Sequence, residues 1–242
     1  MKSIDMMQGL AIIASIKEKH LVNEGDFAMI LTHIALKEDE YSSFFKDEYK
    51  GFKLLDNSFF ELGYALSFRE VMKAVRRVEA DCIVLKDGTL DYIDDAKKEG
   101  LYVMAVPTTN EEFMNFIQNE KVDKVGVSCL HVPKIMNEPI FSPCRGIFVK
   151  NMFKDLDKSL AKKIHFLGST NGVISDLKSA EGLATSIDSS LPYFAALENR
   201  SIDTRVDKEF SFYEYRTLEY PKQYDAFHKN VDAFKIALKG GN

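Results

Sequence analysis

Eight short apolar runs, recurring along the chain with helix-patterned or polar segments between them, restrict its architecture more than any other feature. They occupy residues 9–15, 27–33, 52–56, 82–87, 101–106, 124–129, 164–168 and 183–188. Most are continuous, not alternating, which suits strands buried on both faces, and parallel strands need crossover connections, usually helices. The intervals supply these. Ser67 and Glu70 form a capping box, and Phe68, Val71, Met72, Val75 and Val78 follow as one apolar stripe. Asn110 is expected to cap a helix carrying Phe113, Phe116 and Ile117, and another helix is expected over 173–180. Tyr224, Phe227, Val231, Phe234 and Leu238 recur at spacings of three and four before Gly240, which predicts a closing amphipathic helix over about 222–239. The first crossover, 16–26, is short, and 130–150 reads as a long loop. The alternation predicts a single (β/α)8 barrel domain, with an open doubly wound sheet as the alternative.

A length of 242 residues agrees with one such barrel. With 32 Lys and Arg against 37 Asp and Glu, the net charge of −5 gives no global attraction to nucleic acid or anionic lipid, so a polyanion has to be held by a local patch. Lys73, Arg76 and Arg77 form one basic group, and Lys162 and Lys163 with Arg200 and Arg205 another; either could contact a nucleic-acid backbone, although most such clusters are solvated faces and that is the expectation here. Cys82, Cys129 and Cys144 stand apart with no CxxC pair, and His131 and His165 have no partner at ligand spacing, so no metal is expected. The same cysteine usage suits the reducing cytoplasm. The first apolar run is too short for a membrane span, and neither a signal peptide nor an anchor is expected.

In a barrel, chemistry belongs at the C-terminal ends of the strands. Those ends carry Ser15, His33, Asp56, Asp87, Pro107 with Thr108, Ser128 with Cys129, Gly168 with Ser169, and Asp188. Asp56 opens the segment DNSFF, in which Asn57 and Ser58 offer polar atoms and Phe59 and Phe60 flat faces, a combination suited to a planar heterocycle. The plainer alternative makes Asp56 a turn cap and the rings core. Asp188 is delivered by an apolar strand into a Ser-Ser-Leu-Pro turn, where a carboxylate can attack an electrophilic sugar carbon or, more simply, cap the turn. Asp87 precedes glycine in an everyday turn. Two carboxylates in one pocket push their pKa values apart, so that one serves as acid or base while the other stays ionised. The loop 168–172 leads into a helix and suits either a phosphate or a plain turn; it matches neither a Walker nor a Rossmann pattern, and no cofactor is expected. His33 either faces the pocket or is a hydrogen-bonded structural residue.

LLDNSFFELG at 54–63, ADCIVLKD at 80–87, IHFLGSTNG at 164–172 and SIDSSLPYFAAL at 186–197, taken in order, resemble the tRNA-guanine transglycosylase superfamily, and in particular its short phage-type relatives associated with 7-deazaguanine modification of DNA. The likeness covers roughly residues 9–200. It implies that Asp188 is the nucleophile at C1′ of a nucleotide, that Asp56 is the general acid/base for the departing and arriving bases, and that Asp87 reads the base edge. It further implies that Phe59 or Phe60 stacks on the base, and that Gly168 and its neighbours line the pocket beside the ribose or phosphate. Two departures accompany it. Residues 189–242 contain no cysteine, so the zinc site of the tRNA enzymes has no counterpart there, and their Ser-Gly-Gly-Phe is replaced by Asn57-Ser58-Phe59-Phe60, which reshapes the base pocket.

These readings lead to a zinc-free cytoplasmic enzyme, in host cytoplasm if phage-encoded. The resemblance implies that it exchanges guanine in nucleic acid, DNA before tRNA, for a free purine-like base of 7-deazaguanine type. Asp188 and Asp56 are the expected catalytic pair. Asp87, Asn57, Ser58, Phe59, Phe60, Ser128, Cys129, Gly168, Ser169 and His33 are the expected substrate-binding residues. The alternatives are a nucleoside (deoxy)ribosyltransferase or N-glycosidase acting on free nucleosides, which the acidic net charge favours, and a non-catalytic barrel that binds a nucleotide or nucleic acid.

Overall fold

Each apolar run contributes one strand to the computed structural model, which describes residues 2–14, 16–169, 172–202 and 217–239, without the side chains of Ile16 and Phe60. The strands are β1 (Gly9–Ile12), β2 (Ala28–Leu31), β3 (Lys53–Asp56), β4 (Cys82–Val84), β5 (Tyr102–Ala105), β6 (Lys124–Ser128), β7 (Ile164–Leu167) and β8 (Ser186–Ser189). They pair in parallel in the order β1-β8-β7-β6-β5-β4-β3-β2. A single parallel bridge between Ala11 and Phe27 joins β1 to β2 and nearly closes the ring. The helices are α1 (Thr32–Lys37), α2 (Asp39–Ser43), α3 (Phe59–Leu62), α4 (Phe68–Val78), α5 (Ile93–Lys98), α6 (Asn110–Gln118), α7 (His131–Ile135), α8 (Arg145–Met152), α9 (Val173–Ser179), α10 (Leu191–Leu197) and α11 (Pro221–Leu238). The fold is a (β/α)8 barrel.

Most strands are shorter than their apolar runs because the last residues already belong to the loops and helices of the C-terminal rim. Thr32 and His33 open α1, and Asp87 and Gly168 lie beyond β4 and β7. Ser15 falls outside the described residues. The short first crossover, Ile16–Glu24, is two 3-10 segments joined by a kink at Glu18. The capping box of α4 forms with both of its hydrogen bonds, but α6 is capped by Thr109, not Asn110: its hydroxyl accepts the Glu112 amide at 3.1 Å. Residues 130–150 are not one long loop. They hold α7 and most of α8, which bury Val132, Phe148 and Val149, while Pro133 and Gly146 obscure the helical pattern. Pro133 is tolerated because it sits in the first turn, where its missing N–H costs no hydrogen bond.

Two apolar clusters result. The smaller fills the barrel with Met7, Ala11, Ile13, Phe27, Met29, Phe52, Leu54, Cys82, Val84, Met104 and Val106; the larger lies between strands and helices. At the N-terminal rim one device recurs. Asp26, Asp81 and Asp123, placed just before β2, β4 and β6, each accept an early amide of the preceding strand: Leu10 at 2.9 Å, Lys53 at 2.9 Å and Val103 at 2.7 Å. Each also meets a lysine, Lys235, Lys2 and Lys97 respectively. Gly9, at φ +93°, is required here, since a Cβ would lie 2.1 Å from the Asp26 carboxylate.

Arg145, fully buried at the start of α8, ties the outer helices to the end of β7. Its Nε donates to Asp176 of α9 at 2.7 Å, and Asp176 also accepts the Gly146 amide at 2.9 Å. Nη1 donates to the carbonyls of Leu167 and Gly168 at 3.2 and 2.9 Å, and the guanidinium lies 4.5 Å from the Phe166 ring centroid. Removing one partner strands a desolvated charge. Asp176→Ala is therefore expected to lower the unfolding free energy by about 3–5 kcal/mol in urea titration, whereas replacing both partners by apolar residues of similar volume costs much less. An Asp176→Ala loss below about 1 kcal/mol would contradict this account of the pair.

Candidate active site

Ser186 and Asp188 alternate along β8 and so share its inward face, which is what brings a carboxylate inside an apolar barrel. Asp188 Oδ1 meets His165 Nε2 at 3.0 Å and accepts the Gly168 amide at 2.9 Å. Burial holds the His165 ring below its ordinary pKa, against the pull of Asp188. A neutral ring facing a carboxylate carries its proton on Nε2, so Nδ1 accepts from the Ser186 hydroxyl at 2.9 Å. A chain of three side chains thus fixes one oxygen of Asp188, and no described hydrogen bond engages Oδ2. Gly168 is indispensable to this arrangement: its φ is +73°, and a Cβ would stand 2.7 Å from Cys129 Sγ.

Asp56 ends β3 on the same rim. Its Oδ2 accepts the Ser58 amide at 2.8 Å, and Ser58 adopts the left-handed conformation at φ 57°. The Phe59 amide bonds Asn57 Oδ1 at 2.9 Å, so DNS forms two successive side-chain turns before α3. The cap reading of Asp56 is thus part of the picture, but it does not exhaust it. Desolvation raises the Asp56 pKa well above the carboxylate range; Glu61 adds to this, the Ser58 amide opposes it, and the charges of Asp188 and Asp87 reinforce it. Glu61 on α3 is itself raised by burial and by Asp188. Its Oε2 is buried without a hydrogen-bond partner among the described residues. The mouth therefore gathers mutually repelling carboxyl groups from β3, α3, the loop after β4, and β8.

Asp87 is held in place by two neighbours. His131 Nε2 lies 2.7 Å from its Oδ2, and Asn57 Nδ2 donates to its Oδ1 at 3.2 Å and to the Leu85 carbonyl at 2.7 Å. Other expected site residues are occupied with the rim itself. The Ser128 hydroxyl accepts the Leu130 amide at 3.1 Å, and Ser169 bonds the Ser189 hydroxyl. Burial pushes the Cys129 thiol up to about 11, so it stays protonated at neutral pH. His33 lies buried in α1, where its amide donates to Ser58 Oγ at 3.3 Å. Phe59 is partly exposed on α3; the Phe60 side chain, Thr170, Asn171 and Arg205 lie outside the described residues.

His165, Ser186, Glu61 and His131 take part in this constellation, although spacing along the chain marks none of them. One signal was available: a histidine in an otherwise apolar parallel strand, two residues before Leu167, must face either the barrel interior or the helix layer. Glu61 and His131 carry no comparable mark, because α3 and α7 are too short for periodicity to orient them. Among the described residues, no three or more His, Cys, Asp and Glu side chains are grouped to hold a metal ion. No helix among them is long and apolar enough to cross a membrane.

Chemically, the mouth offers a carboxylate fixed by one oxygen and, beside it, a carboxyl that retains its proton to higher pH, the division of labour that nucleophilic substitution with acid assistance requires. No family model matches the chain, and no curated protein does.

The raised Asp56 pKa has a consequence for stability. The unfolded chain ionises this group near pH 4 while the folded chain resists, so folding carries a penalty above the folded pKa that disappears as pH falls toward 4. Asp56→Asn keeps the acceptor for the Ser58 amide and removes the penalty. Thermal melts should show a higher Tm for the variant at pH 8, by about 2–4 °C for each kcal/mol relieved, with the gain shrinking toward pH 4. A variant no more stable than the wild type at pH 8 would show that Asp56 ionises normally.

Proposed function

We propose that this barrel is a base-exchange glycosyltransferase that replaces guanine at its N-glycosidic bond in nucleic acid, DNA in particular, by a free purine-like base of 7-deazaguanine type. The observation that carries the reading is the meeting, at one barrel mouth, of Asp188 with one oxygen fixed and Asp56 with its pKa raised. The order and spacing of the four sequence blocks that resemble tRNA-guanine transglycosylases support it independently.

In this mechanism Asp188 Oδ2 attacks C1′ and the bond from C1′ to the base nitrogen breaks. Asp56 gives its proton to the departing base, leaving a sugar esterified to Asp188. The incoming base then loses a proton to the Asp56 carboxylate, its nitrogen attacks C1′, and the ester bond breaks to restore Asp188. Asp87, steadied by His131 and Asn57, accepts N–H groups from the base edge, and Phe59 on α3 offers a face for stacking. Glu61 helps keep the proton on Asp56 until the base departs. The net charge of −5 favours free nucleosides as a second substrate class.

Incubation with labelled guanine and DNA, tRNA or nucleosides in parallel tests the reading. Label should enter DNA, and the wild type with DNA and a base analogue should give an adduct that survives a denaturing gel. Asp188→Asn should give no adduct and lower exchange by about 10^3-fold or more. Asp56→Asn should slow exchange by about 10^2–10^4-fold. Full exchange by Asp188→Asn would remove the nucleophile assignment; exchange confined to nucleosides would select the second substrate class.

A further inference from the structure

On the flank of the barrel, α2, the π-helical segment Phe44–Glu48 that follows it and α4 border an open cleft of about 440 Å³ lined by Asp39, Ser42, Ser43, Lys46, Lys73, Arg76 and Arg77. Four cations face one carboxylate, in a chain whose net charge is −5. Arg77 is fixed, donating Nη1 to the Leu36 carbonyl at 3.2 Å and Nη2 to Asp39. The ion pairs of this flank among the described residues are Lys19–Glu40 and Arg77–Asp39, and they leave Lys46, Lys73 and Arg76 exposed outside both. Arg76 and Arg77 complement the C-terminal end of the α4 dipole, but that cannot account for Lys73 in mid-helix or for Lys46 on another element.

We propose that this cleft seats backbone phosphates of the nucleic acid whose base enters the mouth. The inference rests on the nucleic-acid reading of the mouth and adds to it a second point of contact. The lining has the chemistry of phosphate: guanidinium and ammonium donors beside the Ser43 hydroxyl, with Lys73 and Arg76 one turn apart on the same helix face. It contains no aromatic ring, so a free nucleotide would find nothing on which to stack its base. Exposed cations hold a single small anion weakly, whereas a polymer engages several at once and releases their counterions. The position also fits. At 1.5 Å per residue, Lys73 and Arg76 lie roughly 8 and 12 Å along α4 from Phe68, where that helix of the β3–β4 crossover begins, so a strand running along α4 from that end passes both within about three nucleotides at 3.4 Å each. Such contacts read no sequence; they set position along the strand.

The test is fluorescence anisotropy with a labelled 20-nucleotide DNA, single-stranded and duplex, between 50 and 200 mM salt. It compares the wild type with Lys46→Gln/Lys73→Gln/Arg76→Gln and with Lys154→Gln/Lys158→Gln/Lys178→Gln, a control that removes the same charge from exposed positions elsewhere. Circular dichroism verifies that all three are folded. The cleft variant is expected to bind at least tenfold more weakly at 50 mM salt, and the slope of log K against log salt should fall by about 2 to 3. The control should bind as the wild type does. Equal losses in both variants, an unchanged slope in the cleft variant, or no DNA binding by the wild type at 50 mM salt would each overturn the proposal. Exchange at saturating DNA is read separately. Binding that depends on the cleft without any base exchange would remove the transglycosylase reading and leave the cleft, and exchange with cleft-independent binding would do the reverse.

Discussion

A carboxylate enclosed by an apolar barrel is costly unless donors are arranged around it, and Asp188 has them in His165 and the Gly168 amide. Much of the rim follows from that requirement. The His165 ring must carry a proton on Nε2 toward Asp188, which leaves Nδ1 to accept from Ser186 on the other side; the Gly168 amide must point inward, which its positive φ allows and Arg145 secures by gripping the carbonyls of Leu167 and Gly168. Arg145 in turn needs Asp176 on α9. A buried ion pair in the helix layer is thus connected, through one loop, to a single oxygen atom in the barrel.

The opposite arrangement holds across the mouth. Asp56 and Glu61 sit where neighbouring charge is negative and water is scarce, and their ionisation is resisted instead of supported. One rim therefore contains a carboxylate with fixed donors and two carboxyl groups without enough of them, and the difference arises from position: the β8 group lies against a histidine and a loop amide, while the β3 group has a backbone turn and other acids. Burial and charge repulsion here act against stability and in favour of acid chemistry, a common division between the two faces of such barrels.

The strands and their polar C-terminal ends were legible because a parallel strand buried on both faces is an uninterrupted apolar run, and a run that ends in Asp56 or Asp188 declares where its polar residue must go. Helices with a full stripe, such as α4 and α11, were equally legible. α7 and α8 were not: Pro133 and Gly146 mask their short apolar faces. The cap of α6 was misplaced by one residue because Thr109 and Asn110 are both good caps, and only the direction of the Thr109 hydroxyl decides. The partners of the site residues were the least legible. His165 reaches Asp188 across neighbouring strands, and His131 reaches Asp87 across 44 residues of chain, so neither leaves a local pattern.

Seven of the eight joints in the ring are ladders of two or more paired positions, and the eighth, between β1 and β2, is one bridge between Ala11 and Phe27. Asp26 braces that joint from below, its amide bonding the Leu10 carbonyl at 2.7 Å and its carboxylate the Leu10 amide. A closed hoop loaded from within gives way first at its least-bonded joint, and this one lies between β1, paired on its other side with β8 and Asp188, and β2, paired on its other side with β3 and Asp56. The ring thus has a built-in place of compliance: strain from a large guest would part it between the strand paired with β8, which carries Asp188, and the strand paired with β3, which carries Asp56.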